Sequence, residues 1–194
     1  MSPEAQNVLE ILSLLAGVGY AVLAARRNRL CWIAGAVGSA ILALVSGLGH
    51  LPMQAGLNTF YVVVSAYGWW NWTRSSTAGE LPVSRWPLQW HIVAAIGITV
   101  LSFLSAQWLA IRTQAAWPLL DSLTTWFSLF AFWLATQAKL ENWLYWIAID
   151  GVLVFLFYEQ DSPFIALQFA ILIGIAASGF VAWRRRLHTL TVPT

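Results

Sequence analysis

At 194 residues, 59% of them hydrophobic and only 9% charged, the chain is poorly suited to water, where a soluble domain carries roughly 25% charged side chains. A formal charge of +2, with the basic residues in short clusters, is no nucleic-acid signature, and a single cysteine, Cys31, excludes an intramolecular disulfide. Apolar runs of about 20 residues recur along the whole length and fill it with one membrane domain, residues 1–194.

The stretch Met1–Asn7 carries Glu4 in place of a basic n-region, so the first apolar run is expected to be a retained helix, not a cleaved signal. In chain order the predicted helices are Val8–Ala25, Cys31–Leu48, Met53–Trp72, Trp90–Ala110, Leu119–Gln137, Trp143–Tyr158 and Pro163–Trp183. Arg26, Arg27, Asn28 and Arg29 separate the first two, because such groups are costly in hydrocarbon. Thr73–Pro87 combines Ser, Gly, two prolines and charge, and Glu159, Asp161 and Pro163 divide the last two helices. Many of the 13 tryptophans lie near the ends of apolar runs, where indoles favour the headgroup layer.

Charge fixes the expected orientation. With the N-terminus outside, Arg26, Arg27, Arg29, Arg74, Arg85, Lys139, Arg184, Arg185 and Arg186 all face the cytoplasm, and only Arg112 faces out. Seven spans, N-out and C-in, fit that bias and an even number does not. The chain also repeats. A shift of 114 residues pairs Asn28 with Asn142, Trp32-Ile33-Ala34 with Trp146-Ile147-Ala148, Gln54 with Gln168, and Trp69 with Trp183. Residues 8–72 and 119–183 then form two three-helix repeats, and helix 90–110 restores the chain direction between them. The expected fold is an all-α integral membrane protein with a parallel 3+1+3 repeat, the architecture of transporters that hold substrate near mid-membrane between two bundles.

Asp150, seven positions into the sixth helix, is the most informative residue. A carboxylate there costs about 2.5–3.5 kcal/mol on insertion scales and ordinarily faces an interior or a wet cavity. Trp143, Trp146 and Asp150 fall at i, i+3 and i+7, one helical face. Two indoles and an acid suit a flat, cationic, aromatic ligand, although Trp143 also reads as an ordinary interfacial belt residue. On the third helix Gln54, Asn58, Tyr61 and Ser65 share a face, able to bind a sugar or heterocycle or to bond neighbouring helices. On the fifth, Asp121, Ser122, Thr125 and Ser128 make a third polar stripe, with Asp121 also readable as a helix cap. Gln168 joins the candidates as the partner of Gln54 in the 114-residue register.

Enzyme readings fare poorly. A thiol oxidase needs cysteine pairs, and a haem or metal site needs clustered histidines, whereas His50, His91 and His188 lie far apart at helix ends. The sequence contains no Gly-x-Ser-x-Gly elbow and no phosphate-cradling glycine loop, and it has no room for a nucleotide domain. No cofactor or metal is expected. A proton-coupled carrier needs a relay, and Asp150 has no Lys, Arg or His partner inside the spans.

The segment Glu141-Asn142-Trp143-Leu144-Tyr145-Trp146-Ile147-Ala148-Ile149-Asp150 resembles the Trp-x-x-Trp-x-x-x-Asn/Asp motif of the Pnu-type vitamin transporters. Gln54-x-x-x-Asn58-x-x-Tyr61, then Tyr67-Gly68-Trp69-Trp70, and Asp121-Ser122 extend the resemblance over nearly the whole chain. It implies a fold like that of the SWEET sugar exporters, a homotrimer in the cell's inner membrane, and facilitated diffusion of a vitamin. Relatives that carry nicotinamide riboside tend to end the motif in Asn, and the thiamine branch in Asp. Asp150 points toward thiamine, and both cationic vitamins stay open. A SWEET or PQ-loop sugar transporter is the alternative within the same fold, but none of the seven prolines precedes a Gln. A non-transporting scaffold or sensor would leave three polar stripes without a use.

Overall fold

The computed structural model describes residues 3–48, 52–74, 81–112, 117–159, 161 and 163–189. Seven helices form among them: α1 Pro3–Ala25, α2 Cys31–Leu48, α3 Pro52–Arg74, α4 Leu88–Arg112, α5 Pro118–Thr136, α6 Asn142–Glu159 and α7 Pro163–Thr189. The order matches the sequence expectation, and the ends differ for physical reasons. Proline opens α1, α3, α5 and α7, because at the first helical position its missing N–H has no partner to lose. α7 runs on past Trp183 through Arg184–Arg186, since arginine is a good helix former and its long side chain reaches water from a helix end.

Four segments combine length and hydropathy enough to cross a membrane by composition alone: α2, α4, α5 and Ile165–Leu187 of α7. The helices α3 and α6 fall short of that measure because Asn58, Asn71, Asn142 and Asp150 interrupt them. Their outer residues are nonetheless apolar and open, as at Val63 (60% exposed), and the same holds for Leu104 of α4 (60%). Lipid, not water, is the solvent that accepts such a surface.

The chain divides into two compact units, Met1–Pro82 and Val83–Thr194. In the first, α2 packs on α1 and α3. The α1–α2 contact is close because Gly38 has no side chain: a Cβ there would lie 3.1 Å from Ala16 Cβ and 3.3 Å from the Ser13 carbonyl. In the second, α6 packs on α5 and α7, and α4 on α5. A polar seam joins α4 to α5, where Trp126 Nε1 donates to Ser105 Oγ at 3.1 Å and Ser102 Oγ donates to the Ser122 carbonyl at 3.4 Å.

The same construction recurs in both units. α1 ends with Arg27 at φ 61°, its N–H bonded to the Ala24 carbonyl and that of Asn28 to Leu23. α5 ends likewise, with Ala138 at φ 51°, its N–H bonded to Ala135 and that of Lys139 to Leu134. Each is a Schellman turn, which satisfies the last carbonyls of its helix. Five residues after each left-handed residue comes a tryptophan seated on a glycine. A Cβ at Gly68 would lie 2.6 Å from the Trp32 ring, and one at Gly179 would lie 2.7 Å from the Trp143 ring. A second indole meets the first edge-on in each unit: Trp72 against Trp32 (5.2 Å, 90°) and Trp183 against Trp143 (5.4 Å, 88°).

These pairs are 111 residues apart, not 114. Arg27 corresponds to Ala138, Trp32 to Trp143, Gly68 to Gly179, Trp72 to Trp183 and Pro52 to Pro163, and the 18-residue α2 corresponds to the 18-residue α6. The 114-residue alignment slips by three positions, close to one helical turn, so it kept the apolar faces while exchanging neighbours along them. Trp146 corresponds to Gly35, Asp150 to Ser39, and Gln168 to Leu57 and not to Gln54.

The glycine seats give a direct test. Gly179→Ala puts a methyl into a ring that is only 3% exposed, and overpacking of this kind costs about 1–3 kcal/mol. Thermal unfolding in detergent should fall by several degrees, while Gly174→Ala, on the same helix with nothing within 4 Å, should be neutral or stabilising.

The linker to α4 is fastened to the α5–α6 loop. Ser84 N–H donates to the Ala138 carbonyl (3.2 Å), Leu140 N–H to the Ser84 carbonyl (2.9 Å), and Lys139 Nζ to Ser84 Oγ (2.9 Å). Trp86 N–H donates to Glu141 Oε2 at 3.2 Å. These four bonds, carried by Ser84 and Trp86, hold the linker in the second unit just ahead of the first turn of α4.

Candidate functional site

α6 begins where the Schellman turn at Ala138 redirects the chain, and its first turn is anchored by Trp143. That indole is buried against Gly179 and Trp183, so its faces are already occupied. Trp143 is thus a helix-packing residue in this structure, and its ring is not open to a ligand. Trp146, one turn on, is half-buried and meets Phe132 of α5 edge-on at 6.5 Å and 85°. Asp150 lies at mid-helix, about 12 Å from either end of α6 at 1.5 Å per residue, and is 4% exposed. Among the described residues no hydrogen bond or ion pair reaches its carboxylate.

A carboxylate buried without a partner is the most costly polar group in this unit. A ligand cation can supply the missing charge, and the Trp146 ring can supply a face to stack on. Thr125 of α5 and Gln168 of α7 are both half-buried, on the two helices that pack against α6. Asp121 is not the cap of α5: that position belongs to Trp117, and Asp121 sits within the first turn, where the positive end of the helix dipole favours it. Ser122 is buried with its Oγ unbonded among the described residues.

In the first unit, Asn58 is buried and Tyr61 half-buried on α3, with the Tyr61 ring against Phe60. Ser65, on the same stripe, is wholly buried. Its Oγ faces Gly35 of α2, which places it in helix packing. The side chain of Gln54 lies outside the described residues.

One cluster was not legible from the sequence. His91 Nδ1 and Tyr145 OH share a hydrogen bond at 3.0 Å, and their rings stack at 5.8 Å. Trp86, Phe130 and Phe127 close around them, with Phe130 edge-on to Tyr145 at 5.2 Å and Trp86 edge-on to His91 at 5.2 Å. This cluster ties α4 to α6 next to Trp146. His91 looks like a lone helix-end histidine in the sequence, and only the fold brings it to Tyr145.

The seven helices form an all-helical membrane scaffold that holds an indole and a buried acid near the middle of α6. The family described as "Nicotinamide mononucleotide transporter" matches residues 7–185. "Nicotinamide riboside transporter PnuC" of Escherichia coli (strain K12), and the protein of that name in Shigella flexneri, are each 26% identical to this chain over 153 residues. Those matches cover 66% of this chain and 64% of the relatives' length. The solved structure "Crystal structure of the Vitamin B3 transporter PnuC" superimposes with a TM-score of 0.73, covering 93% of this chain and 82% of that one at 19% identity, a likeness of fold. The chain belongs to the nicotinamide mononucleotide transporter family, and both curated relatives are named as transporters.

Trp146→Ala tests the stacking face. A buried stacking or cation–π contact contributes about 0.5–2 kcal/mol, so binding should weaken about 2- to 30-fold while thermal unfolding stays near wild type. Binding is read by calorimetry on purified protein, and unchanged affinity would assign Trp146 to packing with Phe132.

Proposed function

We propose that the protein carries nicotinamide riboside into the cell across the inner membrane by facilitated diffusion, with Trp146, Asp150, Thr125 and Gln168 of the second unit as the candidate ligand contacts. The observation that supports this substrate class best is the unpartnered Asp150 carboxylate beside Trp146. Nicotinamide riboside is a flat pyridinium cation, and an acid plus an indole complement it. The mononucleotide adds a phosphate, and α5 and α6 contain no Lys, Arg or His to receive one. The unphosphorylated riboside therefore fits better, as the curated relatives' name also favours. Thiamine is the second reading, because Asp150 ends the motif where the riboside carriers tend to have Asn.

Transport of a lone cation couples to membrane potential at about 2.3 kcal/mol per charge per 100 mV. The experiment is uptake of radiolabelled nicotinamide riboside, nicotinamide mononucleotide and thiamine into proteoliposomes, with and without an inside-negative potassium–valinomycin potential. Riboside uptake that rises with potential supports the reading. Preferential mononucleotide uptake would overturn the substrate, and uptake indifferent to potential would overturn uncoupled cation movement.

A further inference from the structure

Tyr145 precedes Trp146 in the chain and is held from several sides. Its ring stacks on His91 of α4 (5.8 Å, 29°) and on Phe127 of α5 (6.0 Å, 23°), with Phe130 edge-on at 5.2 Å. Its hydroxyl shares a hydrogen bond with His91 Nδ1 at 3.0 Å, while His91 Nε2 is buried without a partner among the described residues. α4 packs on α5, and it reaches α6 through this pair. Around the axis of α6, Tyr145 lies about 100° to one side of Trp146, and Trp143 about 60° to the other. Trp143 is fixed in its seat on Gly179, so two anchored positions flank Trp146. The first unit has nothing like the anchor at Tyr145. In the 111-residue register Tyr145 corresponds to Ala34, Phe127 to Ala16 and Phe130 to Gly19, and α4 has no counterpart. There α2 packs on α1 and α3 with the tryptophan seat alone, so the second anchor comes only with the unit that holds Trp146 and Asp150.

We propose that Tyr145, through its bond to His91, is a positioning residue that fixes the roll of α6 and so the angle at which Trp146 meets a flat cationic substrate. This role rests on Trp146 being the stacking face for that substrate. A ring face offered to a ligand cannot be clamped by the protein as Trp143 is. Its orientation must instead be set through the backbone, by the neighbours that hold the helix. The hydroxyl–imidazole bond does this more sharply than ring packing, because it is directional and its polar atoms are costly to leave unpaired where they are buried.

The test is calorimetric binding of nicotinamide riboside and of thiamine to purified full-length protein in detergent, in a double-mutant cycle with Trp146→Ala. Tyr145→Phe keeps the ring and removes the bond, and is expected to weaken binding about fivefold in the wild-type background. In the Trp146→Ala background the same substitution should change nothing, because no indole remains to be aimed. His91→Phe removes the bond from the other partner and should reproduce the loss. His91→Asn, whose amide stands near the position of Nδ1, should retain most of the affinity. An equal loss with and without Trp146 would overturn the proposal and make Tyr145 a general packing residue. Unchanged affinity in both Tyr145→Phe and His91→Phe would overturn it too, with the stacking role of Trp146 left standing. Affinity indifferent to Trp146→Ala, or a wild type that binds neither vitamin, would overturn the stacking reading and the positioning role together.

Discussion

Asp150→Asn will remove most of the affinity for a cationic substrate while sparing a neutral analogue of the same shape. A cation leaving water for a buried site loses its hydration, and the carboxylate, 4% exposed and otherwise unbonded, replaces it. Removing one partner of a buried charge pair typically costs 3–5 kcal/mol, and water admitted to the site reduces that, so a loss of about 100-fold is expected. Reduced nicotinamide riboside, neutral but nearly isosteric, should lose far less. Calorimetric binding of both forms to wild type and variant separates the cases. Equal losses would make Asp150 a structural residue, and riboside affinity that improves in the variant would give Asn the better fit at this position. The sensitivity of uptake to membrane potential should persist in the variant, because the moving charge belongs to the substrate.

Trp143→Ala is expected to act on stability, not recognition. The ring is 3% exposed, sits on Gly179 and meets Trp183 edge-on, so its removal empties a cavity between α6 and α7. Truncations of this kind cost about 3–5 kcal/mol, a large share of any domain's stability. Unfolding in detergent should shift strongly downward, with riboside affinity preserved in whatever protein remains folded. Trp146→Ala should show the reverse pattern. Two tryptophans three residues apart would thus separate cleanly by assay.

The contrast between these two indoles marks how far the sequence could be read. The helices were legible because runs of about 20 apolar residues admit few other structures in lipid. Their first residues were less so: the expected helices open at Met53 and Leu119, although Pro52 and Pro118 occupy the first helical position, where proline belongs to the helix. The acid at 150 stood out by its cost alone. What a linear pattern does not contain is where a neighbouring helix crosses. Trp143 and Asp150 share a face of α6, yet that face meets α7 at Trp143 because Gly179, 36 residues on, leaves room for the ring. The repeat register failed for the same reason. Matching Trp32 to Trp146 satisfied the local sequence, and only the seats at Gly68 and Gly179, with the left-handed turns at Arg27 and Ala138, identify Trp143 as its counterpart.

The molecule carries its joinery in two copies and the pairing of Trp146 with Asp150 in one. Trp146 and Asp150 stand where the first unit has Gly35 and Ser39. The halves have become non-interchangeable. At Gly35 a single methyl would already approach Tyr20 to 3.1 Å and Ser65 Oγ to 3.3 Å, so the earlier half has no room for an indole. In the later half the residues matching Tyr20 and Ser65 are Ala131 and Ala176, and the bulk has moved from the flanking helices to the central one. A mutant with two copies of the first half would therefore build helices, turns and tryptophan seats, and would lack both the indole and the carboxylate that the later half presents.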